Sequence, residues 1–150
     1  MISTDGEGYW HGDAPQDLVT YLQYVTAGQR TIIQQATCRG CGGTSFRLLA
    51  DPALRGGGGA AQRVCRDCSR RAFLADSQEL WPMAKPQTGA CPVCNGETFA
   101  LTMAFVIAAD EETDVQWVYV GARCLQCQAL LSPLDWEITY RPSAFVMQYV

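Results

Sequence analysis

The sequence predicts a small, mostly β (α+β) protein: two tandem modules of antiparallel hairpins, held by metal, with an N-terminal helix and a C-terminal segment covering them. Three observations lead there. First, 8 of the 150 residues are cysteine, at positions 38, 41, 65, 68, 91, 94, 124 and 127, forming four C-x-x-C pairs with none left over. Second, the run Cys38-Arg39-Gly40-Cys41-Gly42-Gly43-Thr44-Ser45-Phe46-Arg47-Leu48 recurs as Cys91-Pro92-Val93-Cys94-Asn95-Gly96-Glu97-Thr98-Phe99-Ala100-Leu101, at an offset of 53 residues. Both copies read C-x-x-C-[GN]-G-x-[ST]-F-x-L and continue through a strand-like stretch to a second C-x-x-C. Third, hydrophobic residues make up 48% of the chain and charged ones 17%, a balance that packs and does not stay disordered. The resulting units are an acidic N-terminal segment and helix (1–30), a first cysteine module (31–80), a linker (81–90), and a second module with the C-terminal segment (91–150).

Two residues between cysteines let a tight turn aim both sulfurs at one point, and two such turns supply the four thiolates of a tetrahedral site. The repeat assigns the ligand sets as Cys38, Cys41, Cys65, Cys68 and Cys91, Cys94, Cys124, Cys127. Met1-Ile2-Ser3-Thr4-Asp5 has neither the basic nor the apolar part of an export signal, and no apolar run approaches the roughly 18 residues that span a bilayer. The chain is therefore read as cytoplasmic, where paired cysteines hold metal more often than disulfides. Two zinc ions are expected, with iron as the minority alternative. Closed four-thiolate sites leave no position for a reacting water, so both are read as structural.

The elements follow in order. Residues 1–12 are acidic and glycine-rich and are expected to be loosely held, apart from Tyr9-Trp10-His11. A helix follows: Asp13 as N-cap, Pro15 in the first turn, Gln16 closing a capping box, Leu18, Tyr21, Leu22 and Val25 as the apolar stripe, and Gly28 as the stop. Thr31 to Thr37 reads as a strand entering the first cysteine turn. Phe46 to Ala50 leaves it, and Gln62 to Cys65 returns after a tip containing Gly56, Gly57, Gly58 and Gly59. That tip lacks the lysine and hydroxyl of a phosphate-cradling loop. In the linker, Trp81 is expected to wedge between the halves. Thr98 to Ala109 and Val115 to Ala122 form the longer second hairpin around the turn Asp110-Glu111-Glu112-Thr113-Asp114, which lacks the spacing of a calcium loop. Leu134 to Tyr140 alternates as a further strand, and Ala144 to Val150 is a short apolar tail.

The cysteine turns resemble the zinc ribbon (rubredoxin-like) family over about 38–76 and 91–140, most closely at Cys91-Pro92-Val93-Cys94-Asn95-Gly96. Gly42 and Asn95 stand just past the second cysteine, where tolerance of positive φ lets backbone N–H groups turn toward the sulfurs. Ser69 and Gln128 stand where glycine is usual in the family.

The net charge of −4 is unevenly distributed. Residues 1–29 carry 4 acids and no Lys or Arg; residues 30–71 carry 8 basic residues, all arginine, and 2 acids; residues 72–150 carry 3 basic and 9 acidic residues. A dication held by four thiolates adds about −2 per site, taking the loaded protein to about −8. Whole-surface duplex binding is disfavoured. Within the first module, Arg39, Arg47, Arg63, Arg66, Arg70 and Arg71 form a basic face, neutralised internally by the acidic helix and second module or met by an acidic protein partner, or alternatively used to bind nucleic acid. With a single histidine, His11, and no carboxylate constellation, no enzyme activity is expected. The function expected is that of a non-enzymatic zinc-binding protein serving as a protein–protein interaction module, whether adaptor, regulatory or neutralising factor. The alternative is a nucleic-acid accessory factor acting through the first module.

Overall fold

Apolar positions draw ten segments into strands in a computed structural model, which describes residues 2–51, 59–108 and 114–150. The tip residues Gly56 to Gly58 and the acidic turn 110–113 lie outside the described residues. In chain order the elements are β1 (Ser3–Thr4), β2 (Trp10–His11), α1 (Pro15–Val25), β3 (Thr31–Gln35), β4 (Phe46–Ala50), β5 (Ala61–Cys65) and β6 (Arg71–Phe73). There follow α2 (Ser77–Leu80), a 3-10 turn (Trp81–Met83), β7 (Gln87–Thr88), β8 (Phe99–Ile107), β9 (Val115–Cys124), β10 (Ala129–Glu137) and a second 3-10 turn (Ala144–Gln148). The strands form one sheet of order β1-β2-β10-β9-β8-β4-β5-β6, with β3 added to β8 and β7 to β4. Every pairing is antiparallel.

The repeat is written into the pairing. Gln35 pairs Thr102, and Thr88 pairs Leu49; adding the 53-residue offset to Gln35 gives Thr88, and removing it from Thr102 gives Leu49. The flanking bonds obey the same rule, Ala36 N–H to Leu101 O at 2.9 Å and Gly89 N–H to Leu48 O at 2.7 Å. Each unit thus lends the strand that precedes its first cysteine turn to the outgoing strand of the other. Phe46 and Phe99, equivalent residues of the two copies, pair with each other where the units meet. The expectation of hairpins packed side by side gives way to reciprocal strand exchange across a local two-fold, and segment 81–90 supplies β7 to that exchange.

Other expectations shift by smaller amounts. Residues 2–12 are tied down: β1 and β2 form a hairpin on the sheet, with His11 opposite Ala129 and Trp10 opposite Leu130. The cap of α1 is Ala14 and not Asp13, and its N–H donates to Asp17 Oδ2 at 3.1 Å, so the side chain that closes the first turn is that of Asp17 and not Gln16. The helix buries Leu18 and Leu22 against β8, β9 and β10. A Cβ at Gly121 would lie 2.7 Å from Leu22 Cδ1, so the glycine makes room for the helix. Trp81 is half-buried and meets Phe73 edge-on at 5.4 Å, within the first unit and not between the halves. Strand β10 starts at Ala129, directly after the last cysteine turn, and its pairing with β9 slips between Leu131 and Leu134. Pro133 occupies that slip, where a strand tolerates the missing N–H.

One core runs through both units, including Phe46, Phe99, Met103, Phe105, Val118, Val120, Trp136 and Val146. Asp76 ties the C-terminal segment down, accepting from Trp136 Nε1 and Tyr140 Oη at 2.9 Å each. Among the described residues, no helix is long and apolar enough to cross a membrane.

Candidate metal centres

The eight cysteine sulfurs gather as two groups of four, Cys38, Cys41, Cys65, Cys68 and Cys91, Cys94, Cys124, Cys127, each within 4.8 Å of one another. Cys38–Cys68 and Cys41–Cys65 lie at 3.5 Å, Cys91–Cys127 at 3.7 Å and Cys94–Cys124 at 3.5 Å. A tetrahedral ion with metal–sulfur bonds of about 2.3 Å requires sulfur–sulfur edges of roughly 3.8 Å. Disulfide bonding would need about 2.05 Å. The donor set and its size therefore fit a divalent ion in each group.

Local backbone chemistry makes the turns. In each, the residue after the second cysteine donates its N–H to the carbonyl of the first: Gly42 to Cys38 at 2.8 Å, Ser69 to Cys65 at 2.9 Å, Asn95 to Cys91 at 2.7 Å and Gln128 to Cys124 at 2.8 Å. All four adopt positive φ, at 76°, 65°, 65° and 67° in that order. Ser69 and Gln128 therefore take up the left-handed conformation without being glycine. The next position in the repeat, Gly43 and Gly96, is glycine for another reason: a Cβ would stand 3.2 Å from Cys41 Sγ or Cys94 Sγ respectively. The two turns of each site are joined by Arg66 N–H to Ser45 O at 2.8 Å and Leu125 N–H to Thr98 O at 3.0 Å.

Without an ion the four thiols of a site cannot ionise together. The N–H groups of Cys41 and Gly40 bring the Cys38 thiol down to about 6. Cys41 receives the Gly43 N–H, which favours its thiolate, yet the Cys65 and Cys68 sulfurs push it up to about 12. In the second site, burial, reinforced by the neighbouring sulfurs, pushes Cys127 up to about 12. At Cys124 burial also opposes ionisation, but the N–H groups of Cys127 and Gln126 outweigh it and its thiol falls below the ordinary value. Cys38 and Cys124 ionise more readily than an ordinary thiol while Cys41, Cys68, Cys91 and Cys127 resist, the arrangement a dication relieves.

Of the six arginines on the predicted basic face, Arg39, Arg63, Arg70 and Arg71 line one cleft, while Arg47 and Arg66 are exposed outside it. Arg63 is 2% exposed and lies over the Phe46 ring at 4.9 Å. Among the described residues none of the six meets an Asp or Glu side chain. Instead Arg39 Nη2 donates to Gln148 O at 2.6 Å, Arg63 Nε to Val150 O at 3.0 Å, and Arg71 Nη1 to Gln62 Oε1 at 3.1 Å. The acidic helix α1 packs on β8, β9 and β10 of the second unit.

His11 sits beside the second site, Nδ1 3.0 Å from the Cys127 carbonyl and Nε2 2.7 Å from Asp5 Oδ2. The Asp5 carboxylate raises its pKa above the ordinary imidazole value. Sequence reasoning missed Arg123, which is 9% exposed and leaves Nε without a hydrogen bond among the described residues; its place next to Cys124 was the only available signal. It also missed a groove of about 480 Å³ at the seam of the units, lined by Tyr9, Tyr21, Leu48, Phe99, Leu130 and Leu131, with Ala90, Pro92 and Pro133 on its lining. These residues come from five segments far apart in the chain. No family model matches the chain, and neither a curated protein nor a solved structure matches it.

Proposed function

We propose that both four-cysteine groups hold zinc as closed structural sites of the zinc ribbon type, and that the protein is a non-enzymatic, cytoplasmic module that binds a protein partner. Four thiolates per ion suit zinc and require a reducing compartment. The observation that carries the interaction reading is the apolar groove at the seam, about 480 Å³, with the exposed residues Ala90, Pro92 and Pro133 on its lining. Exposed apolar concavities of this kind mark interaction sites. Leu48 comes from the first unit, Phe99 and Leu130 from the second, so the groove exists only when both are folded, which links metal loading to binding. The partner it fits presents an apolar side chain or short apolar segment. Against catalysis stands the inventory: the single histidine is engaged by Asp5 and the Cys127 carbonyl.

The test combines native mass spectrometry with affinity capture. Two zinc ions per chain and a stoichiometric protein partner are expected, with partner capture lost in Ala90→Glu/Pro133→Glu while melting is unchanged. Recovery of the chain without a partner, or capture indifferent to both substitutions, would overturn the interaction reading. The nucleic-acid alternative is supported by the convergence of Arg39, Arg63, Arg70 and Arg71 on one cleft, where none meets an Asp or Glu side chain among the described residues. It predicts RNA or DNA affinity that steepens as salt falls and disappears in Arg66→Glu/Arg70→Glu.

A further inference from the structure

The cleft between the first cysteine site and the C-terminal tail gathers four guanidinium groups, none of which meets an Asp or Glu side chain among the described residues. Arg39 comes from the turn between Cys38 and Cys41, Arg63 from β5, and Arg70 and Arg71 from the chain leaving Cys68, yet all four line one recess of about 210 Å³. Tyr149 and Val150 of the tail form its far wall. The tail holds Arg39 through the Gln148 carbonyl and Arg63 through a Val150 oxygen. Arg63 is buried, gives Nη2 to the Thr37 carbonyl at 3.4 Å, and leaves Nη1 without a hydrogen-bond partner among the described residues.

Charge counting identifies what is missing. With a divalent ion in the first site, four thiolates leave about two negative charges beside four guanidinium groups. The recess therefore carries a net positive charge that an anion would balance. Guanidinium forks offer two N–H donors to two oxygens of a carboxylate or a phosphate, and the three terminal oxygens of a phosphate monoester can meet three such forks at once where the two of a carboxylate cannot. The recess also has an apolar side, formed by Ala72 and Phe73 together with Tyr149, able to receive the group esterified to the phosphate.

A polynucleotide backbone fits poorly. Phe73, Gln78 and Tyr149 are shared with a neighbouring recess that contains Asp76 and Glu79. A strand continuing past Tyr149 would carry its next phosphate toward those carboxylates, while Arg47 and Arg66 stand outside the cleft and extend no basic track through it. We propose that this cleft is a binding site for a single phosphate monoester dianion, held by Arg39, Arg70 and Arg71 against the buried Arg63. The inference is independent of the apolar groove, which shares no residue with this cleft.

Calorimetric titration of the metal-loaded full chain with inorganic phosphate, phenyl phosphate, AMP and a single-stranded RNA oligomer tests it. The expected result is one saturable site for the monoesters, tighter than for inorganic phosphate. In Arg70→Gln/Arg71→Gln, both exposed positions, that affinity should fall at least about tenfold with two ions and the melting temperature retained; Arg47→Gln should match the parent. Preference for AMP or for phenyl phosphate would assign the source as a nucleotide or a phosphorylated aromatic side chain. No monoester binding at millimolar concentration, equal binding by the double variant, or RNA binding that monoesters do not displace would overturn the proposal.

Discussion

The two cysteine units share one sequence pattern and one turn geometry, yet they solve the problem of stability differently. The first is short and wet: β4 and β5 have five residues each, and Cys41 and Cys68 are exposed. The second is long and dry: β8 and β9 have nine and ten residues, α1 covers them, and Cys94 and Cys127 are half-buried. Small modules lack the core to fold alone and rely on metal. The comparison teaches that a repeated ligand frame does not imply repeated energetics. With the proposed ions bound, the first unit is expected to depend mainly on its ion and on the strand β7 that it receives, the second on its ion together with a helix-covered core.

Metal removal should break the comparison outright. Because each unit pairs a strand supplied by the other, stripping both ions is expected to abolish the cooperative melting transition seen by circular dichroism, a loss of order 10 kcal/mol per site. Unchanged melting after verified metal removal would contradict the assignment. Cutting between 84 and 85 should act nearly as strongly. The two pieces, 1–84 and 85–150, are expected to be unfolded apart even with zinc and to form a one-to-one folded complex when mixed, since β3 and β7 must cross between them; analytical ultracentrifugation reads this directly.

A helix-specific change sharpens the contrast. Leu22→Ala should cost about 3 kcal/mol through the cavity left over Gly121. Amide exchange should accelerate more in β8 and β9 than in β4 and β5. Solvent access to the ligands gives a subtler difference: in timed alkylation followed by peptide mass spectrometry, Cys41 and Cys68 are expected to react about tenfold faster than Cys94 and Cys127. The smallest effect should come from Ser69→Gly and Gln128→Gly. Each relieves a non-glycine residue at positive φ, with an expected gain of up to about 1 kcal/mol per position in denaturant titrations.

The metal ligands were legible because C-x-x-C spacing is local: a turn of four residues aims two sulfurs whatever surrounds it, and the repeat identifies which turns share an ion. The helix was legible from its stripe of Leu18, Tyr21, Leu22 and Val25, although its cap moved to Ala14 once Asp17 reached back to the N–H there. The strand pairings were not. Gln34-Gln35 and Gln87-Thr88 have neither apolar alternation nor turn signals tying them to a distant partner, so their exchange could not be inferred from composition. The pinned N-terminal hairpin was hidden for a similar reason. Its order comes from contacts such as Trp10 stacked on Tyr24 at 4.8 Å and His11 beside Cys127, which join residues far apart in sequence.

By itself, then, the sequence determined the ligand sets, the turn chemistry, the two-unit repeat and the polarised charge, all of which depend on residues within a few positions of one another or on simple counting. Only the tertiary structure decided that the units exchange strands, that four of six arginines converge while two stand apart, and that an apolar groove opens at the seam. Those features depend on sheet register and side-chain packing between distant segments, where a shift of one residue would turn every side chain to the opposite face.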